Sequence, residues 1–322
     1  MTVSISRRDA LGGLGGTLAL LGAPMAARAA DLVQLHVSIV PIFDVAPLFA
    51  ATAEGYLAAE GLAVSTQAVQ GGVVGIPGLV SGAYDICYTN SISVIVALER
   101  GIDLRIIALG APIGDKPPDP GAVLRRKGDP YRTSKDLEGK TIGVNSRKDI
   151  MWLVARSWVK ATGGDPDKVD YREVPVPQAL DALKSKQVDA AIVLEPFLTI
   201  GLADPALEFV GWPFNTVLPG MRTAFWVVTG PMADARTATV QGFVRAFRKG
   251  VAWVNANIGK EPYFKLVSGY TRIDPNLMQK IHVPQEVAGV DLGPIKELKA
   301  LMRENGLLNA DVDVEAKVFK TG

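Results

Sequence analysis

The chain has 322 residues, 48% of them hydrophobic, and 34 lysines and arginines against 33 aspartates and glutamates give it a net charge of +1 at pH 7. A chain without a large basic excess has no bulk field to hold a nucleic acid or an anionic membrane, so neither is expected as a partner. The single cysteine, Cys87, excludes an intrachain disulfide and a thiolate metal cage.

Residues 1–30 have the organisation of an export signal. An arginine pair at positions 7 and 8 precedes a weakly apolar, glycine-rich run at residues 11–25, and Ala27-Arg28-Ala29 forms a small-x-small cleavage pattern. This order is typical of secreted proteins, and the paired arginines resemble the twin-arginine class. The apolar run is shorter than the ~20 residues needed to span a bilayer, which argues against a membrane anchor. We therefore expect cleavage near Ala29 or Ala30 and a periplasmic mature protein.

The mature chain begins with alternating strands and helices. Runs of β-branched residues, capping residues and terminal glycines predict strands at 32–40, 62–69, 85–88 and 104–109, and helices at 46–59, 76–81 and 92–100. Apolar strands that alternate with helices are typical of a parallel sheet covered on both faces. This part of the sequence therefore predicts one α/β lobe.

A proline-rich break at residues 111–121 favours a segment that crosses to a second lobe. The alternation then restarts, with predicted strands at 122–126, 141–144, 169–173 and 189–194 and helices at 149–161, 178–184 and 196–202. After a second proline-containing crossing at 212–220 come a predicted strand at 224–229 and helices at 237–258, 262–268, 275–281 and 293–304. We therefore predict that residues 31–112 and 215–322 form lobe I, that residues 113–214 form lobe II, and that a two-strand hinge joins them.

Two segments, one in each predicted lobe, look alike. Residues 82–88 and 186–192 both place a turn and an aspartate before a buried strand. Each strand leads to a polar residue at its carboxyl end, Asn90 in one lobe and Glu195 in the other. Any strand–helix unit can produce such turns, so this likeness alone leaves internal symmetry open. Together with the two crossings, it favours two similar lobes.

Candidate binding residues follow the predicted strands. In open α/β sheets, ligands bind beyond the carboxyl ends of the strands, where helix N-termini offer unpaired N–H groups. The residues at these positions are Phe43, Asp44, Gln70, Gly71, Gly72, Asn90, Ser91, Asn145, Ser146 and Arg147. Structural roles are alternatives for each: turns for the glycines, helix caps for Asn90 and Ser91, and a solvated charge for Arg147. In the binding interpretation, Arg147 would hold a carboxylate or sulfonate through two hydrogen bonds.

Motifs of catalysis are missing from the sequence. It contains no GxSxG, HExxH, P-loop or CxxC pattern, so nucleophilic, zinc and nucleotide mechanisms lack their usual parts. We interpret His36, inside the first predicted strand, as a core residue; His282 stands near Pro284, far in sequence from Cys87. We therefore predict no catalytic residue, no metal site and no cofactor.

Four segments carry a resemblance to a known family. They are 54–62 (EGYLAAEGL), 82–86 (GAYDI), 136–144 (DLEGKTIGV) and 193–197 (VLEPF). In this order, and after an export signal, they resemble the periplasmic substrate-binding proteins of ABC importers, in the branch for nitrate, alkanesulfonates, taurine and thiamine precursors. The resemblance implies a two-lobed α/β fold, the type II periplasmic binding protein, in which each lobe is a mainly parallel sheet flanked by helices. It also implies a small-molecule ligand and a membrane permease as partners, and we expect a monomer.

Two further site residues depend on this resemblance. Similar proteins place an acidic residue before the proline at the cleft, so Glu195 is expected to accept an N–H group of the ligand; the alternative is a carboxylate stabilised by the helix dipole. Arg222 follows the second crossing and is a candidate for the cleft or for the surface. The predicted function is capture of a small organic anion, such as a sulfonate, taurine, nitrate or a carboxylate, by hinge closure.

Three alternatives stay open. In the first, the protein binds a neutral heteroaromatic ligand, such as a pyrimidine precursor of thiamine, through Glu195. A second is a periplasmic sensor or chemoreceptor adaptor of the same fold. The third is a pyrimidine-synthesising enzyme, because the superfamily includes thiamine-pyrimidine synthases; those carry a cysteine-rich motif, whereas this chain has one cysteine.

Overall fold

The computed structural model describes residues 32–320, so the predicted export signal lies outside the described residues. Within this range the chain forms two five-stranded sheets flanked by helices. This arrangement confirms the predicted two-lobed α/β fold. No helix in the described range is long and apolar enough to cross a membrane.

The strands of the described range are, in chain order, β1 (Val33–Ile39), β2 (Leu62–Ala68), β3 (Ile86–Asn90), β4 (Leu104–Leu109), β5 (Gly121–Arg126), β6 (Thr141–Val144), β7 (Asp170–Glu173), β8 (Ala190–Leu194), β9 (Leu207–Gly211) and β10 (Ala224–Thr229). The sheet of lobe I has the order β2-β1-β3-β10-β4, and the sheet of lobe II has the order β7-β6-β8-β5-β9. The domain boundaries between residues 112 and 113 and between 214 and 215 stay a prediction.

Both sheets share one topology. In lobe I, β10 runs antiparallel to β3 and β4, while the other four strands point the same way. In lobe II, β5 runs antiparallel to β8 and β9 in the equivalent place. Each reversed strand follows a crossing between the lobes, so each sheet is mainly parallel, as predicted, with one strand inserted against the others.

The helices are α1 (Ala46–Ala53), α2 (Tyr56–Ala59), α3 (Gly72–Val80), α4 (Ser91–Glu99), α5 (Ile150–Ala161), α6 (Ala179–Lys184), α7 (Phe197–Ala203), α8 (Pro213–Val217), α9 (Gly230–Ala235), α10 (Thr237–Asn257), α11 (Glu261–Thr271) and α12 (Ile295–Glu304). The single helix predicted at 46–59 is two helices, because Gly55 adopts φ +71° between them. Sequence analysis missed β9 and α9, and the second crossing contains the short helix α8.

The longest helix, α10, anchors the core of lobe I. One face of this helix is apolar and buried, and Phe243 and Phe247 pack against the indole of Trp226 on β10. A Cβ atom added at Gly250 would lie 2.1 Å from the backbone oxygen of Pro47, so glycine allows α10 to approach α1. This packing fixes the inserted strand and the start of α1, which borders the cleft between the lobes.

The two similar turns predicted from the sequence are structurally equivalent. Asp85 accepts a hydrogen bond from the backbone N–H of His36 through Oδ2 at 2.8 Å. In lobe II, Asp189 accepts the same bond from the N–H of Thr141 at 2.9 Å. Each aspartate therefore links the turn to the equivalent strand of its own sheet, β1 in lobe I and β6 in lobe II.

A candidate ligand cavity between the lobes

The carboxyl ends of the parallel strands in both sheets border one cavity, which is partly open to solvent. Its wall is largely apolar and includes Ile42, Ile150 and Met151. The polar side chains along it are those of Asp44, Tyr88, Asn90, Asn145 and Thr223. The centres of water-sized molecules can occupy about 60 Å³ of this space, so the enclosed volume suits a small molecule.

Hydrogen bonds between the lobes close the cavity. Gln70 of lobe I donates from Nε2 to the backbone oxygen of Asn145 at 2.8 Å. Asn90 donates from Nδ2 to Oδ2 of Asp149 at 2.8 Å. Since each pair joins one lobe to the other, the structure represents a closed state.

Asn90 has two roles at once. Its Oδ1 accepts a hydrogen bond from the N–H of Ser93 at 2.9 Å and so caps α4. Its amide nitrogen is left to reach Asp149 in the other lobe. The cap holds the oxygen of the side chain on α4 and directs the nitrogen towards the cleft, so one residue can serve both roles.

Asp44 is the acid that lines the cavity in lobe I. It follows β1, is 2% exposed, and accepts a hydrogen bond from the Tyr88 hydroxyl through Oδ2 at 2.6 Å. Its other oxygen, Oδ1, has no hydrogen-bond partner among the described residues. Burial raises the pKa of Asp44 to about 7, against the opposing effects of Tyr88 and the Ala111 amide. Near neutral pH the cavity therefore holds a carboxyl group close to its titration midpoint.

Asp149 is the equivalent acid of lobe II, and sequence analysis did not include it among the candidates. The sequence predicted it as the start of a helix, and the structure places it directly before α5. It is 1% exposed, and burial raises its pKa to about 7 despite hydrogen bonds from Ile150 and Asn145. The sequence shows that a helix starts here, but the contact of Asp149 with Asn90 depends on how the lobes meet.

Glu286 is a second acid that sequence analysis missed. It is buried, and its Oε2 has no partner among the described residues. Burial, and then the charge of Asp44, holds the pKa of Glu286 well above its ordinary value. Glu286 lies in the segment between α11 and α12, which offers no periodic signal that would have identified it.

Glu195 is buried, but its carboxylate is directed to its own helix. Oε2 accepts from the N–H of Thr199 at 3.0 Å, and Oε1 accepts from the Thr199 hydroxyl at 2.9 Å and from the N–H of His282 at 3.3 Å. Burial raises its pKa to about 7, and the Thr199 hydrogen bonds oppose this shift. This geometry favours the alternative interpretation, a carboxylate at a helix N-terminus. Its backbone oxygen accepts from the N–H of Phe43 at 3.4 Å, and ligand contact by the side chain stays a prediction.

Neither candidate arginine lines this cavity, and contact of either with a ligand stays a prediction. The side chain of Arg147 is 59% exposed, pairs with Asp170 at 3.3 Å and donates from Nε to the backbone oxygen of Tyr171. Arg222 pairs with Asp291 at 2.8 Å. Acceptors on neighbouring segments therefore hold both guanidinium groups, and none of the described residues along the cavity carries a positive side chain.

The other candidates divide between the wall and its support. Residues Phe43, Asp44, Gly71, Asn90 and Asn145 line the cavity. Gly72 is a packing glycine, because a Cβ there would lie 2.2 Å from Cβ of Ser93. Ser91 is buried and donates its N–H to the backbone oxygen of Thr223, while the Ser146 hydroxyl lies 3.4 Å from Oε1 of Glu173.

The histidines do not form a catalytic arrangement with the cavity. His36 is exposed on β1, and its Nδ1 lies 2.8 Å from the Ser65 hydroxyl, so its interpretation as a core residue was wrong. The free thiol of Cys87 is buried, and burial raises its pKa to about 11. The described residues contain no group of three or more histidine, cysteine or acidic side chains arranged to hold a metal ion.

A comparison with protein-family models matches residues 42–257, more than half of the chain, to the family described as NMT1/THI5 like. The comparison with curated protein sequences gives no match. The family match includes most of the cavity wall, from Ile42 to Ala224, and continues to the end of α10.

Solved structures share the fold at low sequence identity. The periplasmic aliphatic sulphonate-binding protein SsuA of Escherichia coli is 17% identical with a TM-score of 0.70, and the match covers 89% of this chain and 97% of that one. The alkanesulfonate-binding protein SsuA of Xanthomonas axonopodis pv. citri, bound to MOPS, is 18% identical with a TM-score of 0.72 over 90% and 99%. The periplasmic nitrate-binding protein NrtA of Synechocystis PCC 6803 is 14% identical with a TM-score of 0.71 over 89% and 85%.

Proposed function

The chain belongs to the NMT1/THI5-like family, and we propose that it is the solute-binding component of an ABC importer. In this role it captures a small molecule between its lobes and presents it to a membrane permease. The observation that carries the proposal is the cavity at the carboxyl ends of both sheets, which hydrogen bonds between the two lobes border. The fold shared with sulfonate- and nitrate-binding proteins supports it.

Capture proceeds by closure of the two lobes. A ligand shifts the balance between open and closed forms only by its greater affinity for the closed form. The contacts from Gln70 to Asn145 and from Asn90 to Asp149 join the lobes, so they stabilise the closed form and are lost on opening. A ligand in the cavity adds contacts with both lobes. Because these contacts exist together only in the closed form, the ligand binds that form more tightly and drives closure.

We also propose that the protein binds its ligand without altering it. The wall offers a carboxyl group, amides and apolar side chains. The thiol of Cys87 is buried in the core, and burial raises its pKa. Export to the periplasm and action as a monomer complete the proposal. Export is supported by the charge, apolar and small-residue order of residues 1–30.

A melting screen followed by scattering tests this function. Protein comprising residues 31–322 is screened against small metabolites, including sulfonates, carboxylates, amines, pyrimidines and nitrate. A compound that binds only the folded form at about 100 times its Kd contributes about 2.7 kcal/mol, which raises the melting temperature by several degrees. X-ray scattering with that compound should then report a more compact particle.

Two results would contradict the proposal. One is a screen in which no class of compound raises the melting temperature. The other is a compound that is converted to product on incubation with the protein, which would indicate an enzyme. Uptake of the compound by cells that lack the protein, at the rate of the parent strain, would separate a sensor from an importer component.

A further inference from the structure

The polar wall of the cavity is rich in unpaired acceptors. Oδ1 of Asp44 and Oδ1 of Asn145 have no hydrogen-bond partner among the described residues, and both residues line the cavity and are more than nine-tenths buried. A buried acceptor without a donor is unfavourable, so a ligand that brings N–H groups gains more here than one that brings further acceptors.

The charges around the cavity have one sign. Asp44 lines it, Asp149 closes it, and Glu286 is close enough for Asp44 to shift its pKa. The candidate cations Arg147 and Arg222 are held elsewhere by Asp170 and Asp291. An anion placed here would meet carboxyl groups without a compensating positive side chain, whereas a cation would meet a partner.

Asp44 is held in place for contact with a ligand. The Tyr88 hydroxyl fixes Oδ2, and Gly110 makes room for this oxygen, since a Cβ at Gly110 would lie 2.3 Å from it. Oδ1 is left unpaired in a residue that lines the cavity. Phe43 and Tyr88 belong to the same wall, and aromatic rings attract organic cations.

We propose that the cavity binds a small organic cation, of the amine or amidine type, through N–H hydrogen bonds to Asp44. This ligand class rests on the proposed function, because it describes the solute that the lobes enclose. It differs from the anion expected from the sequence, and it assigns the central contact to Asp44 and not to Glu195. The apolar side chains of Ile42, Ile150 and Met151 favour a ligand with one charged end.

Three probes of the same shape test the charge directly. Acetamidinium, acetamide and acetate have the same number of heavy atoms and differ in charge from positive through neutral to negative. Binding of each is followed by protein NMR at constant ionic strength and at a pH above 7, where Asp44 is mainly ionised. Acetamidinium should bind most tightly and acetate least. Equal binding of the three, or tightest binding of acetate or acetamide, would overturn the proposal.

A matched pair of variants identifies the acid. Asp44→Asn keeps an oxygen for the Tyr88 hydroxyl and removes the charge, while Glu195→Gln makes the same change in a buried acid whose carboxylate bonds Thr199. Acetamidinium and any amine found in the screen should bind Asp44→Asn about tenfold more weakly or worse. Glu195→Gln should change binding by less than about threefold. Equal losses, or a larger loss in Glu195→Gln, would contradict the assignment to Asp44.

The outcomes separate the ligand class from the function. If sulfonates or other anions raise the melting temperature and compact the particle, the protein is a solute-binding protein and the cation proposal is wrong. If no compound of any charge does so, the proposed function itself fails. Melting of ligand-free Asp44→Asn at or above the temperature of the parent protein shows that the variant is folded, so loss of binding is not loss of structure.

Discussion

The equivalent strands β3 of lobe I and β8 of lobe II lead to side chains that are used in different ways. In lobe I, Asn90 caps α4 with its oxygen and reaches Asp149 in the other lobe with its nitrogen. In lobe II, Glu195 uses both carboxylate oxygens on Thr199, and Oε1 also accepts from the N–H of His282 in lobe I at 3.3 Å. Topology therefore brings both residues to the opposite lobe, but the local helix takes most of the hydrogen-bonding capacity of the Glu195 side chain.

Behind the cleft the lobes are much more alike. Asp85 and Asp189 accept equivalent backbone hydrogen bonds from the equivalent strands β1 and β6 of their sheets. Each is also paired with an arginine, Arg236 at 2.9 Å in lobe I and Arg126 at 3.5 Å in lobe II. The turns far from the cavity therefore make the same hydrogen bond and the same type of ion pair in both lobes, whereas the residues at the cavity differ.

The largest expected effect is that of pH on the ligand-free protein, because each lobe brings a buried acid to the cleft. Burial raises the pKa of Asp44 and of Asp149 from 3.8 to about 7. An acid with a raised folded-state pKa is neutral in both states below pH ~4, destabilises the fold increasingly from ~4 to ~7, and has a constant effect above. Stability should therefore fall across this window, by up to a few kcal/mol.

Melting temperatures measured from pH 4 to 8 on Asp44→Asn and Asp149→Asn check this comparison. Each variant should flatten the pH dependence and melt above the parent protein at pH 8. Tyr88, Glu286 and Tyr270 surround Asp44, and each has a pKa that burial raises, so none of them supplies a counter-charge. A parent protein whose melting temperature rises steadily from pH 4 to 7 would contradict the expectation.

Next in size is the contrast between the strand-end residues. Asn90→Ala removes a helix cap and a bond between the lobes, so we expect a loss of about 1–3 kcal/mol together with weaker ligand binding and less complete closure. Glu195→Ala should lower the melting temperature by a similar amount, because the N–H of Thr199 loses its acceptor, but should weaken closure less than Asn90→Ala, because its bond to the N–H of His282 in the other lobe is the longer one at 3.3 Å. Scattering with and without ligand separates the two. Equal defects in closure would show that both residues face the cleft in function.

Smaller effects are expected at the equivalent turns. Asp85→Ala and Asp189→Ala each remove an acceptor for one backbone N–H, which should cost about 1–2 kcal/mol in urea unfolding. Because the Arg236 pair is shorter than the Arg126 pair, Asp85→Ala should be the more destabilising. A difference of several kcal/mol between the two variants would break the proposed equivalence of the lobes.

The smallest effect is expected for Arg147→Ala. Its ion pair with Asp170 is exposed, and such pairs contribute about 0–1 kcal/mol. Ligand affinity should stay within about threefold of the parent value, since the guanidinium lies outside the cavity. Titration calorimetry with a compound from the screen measures this, and a tenfold loss would return Arg147 to the site.

Sequence reasoning placed the strands, most helices and part of the site, because strand ends are local features of the chain. Asp44 was found in this way, as the residue that follows a buried strand. Arg147 was expected in the cleft because it follows a strand. Its partners on β7, Asp170 and Tyr171, are distant in sequence, so its contacts with them could not be predicted. Glu286 could not be found, since no periodic pattern marks its segment and only the packed structure brings it near Asp44.

The inserted strand β10 has a consequence for how the molecule is made. In the sheet of lobe I, β4 pairs with β10 on one side and forms a single bridge to Val318 on the other, and all of lobe II is encoded between β4 and β10. A chain leaving the ribosome therefore holds β4 without a neighbour until residues 224–229 emerge, and this open edge is a template for unwanted association. Lobe II, whose strands run without interruption from β5 to β9, is the part of the protein whose sheet can be completed during synthesis before the rest.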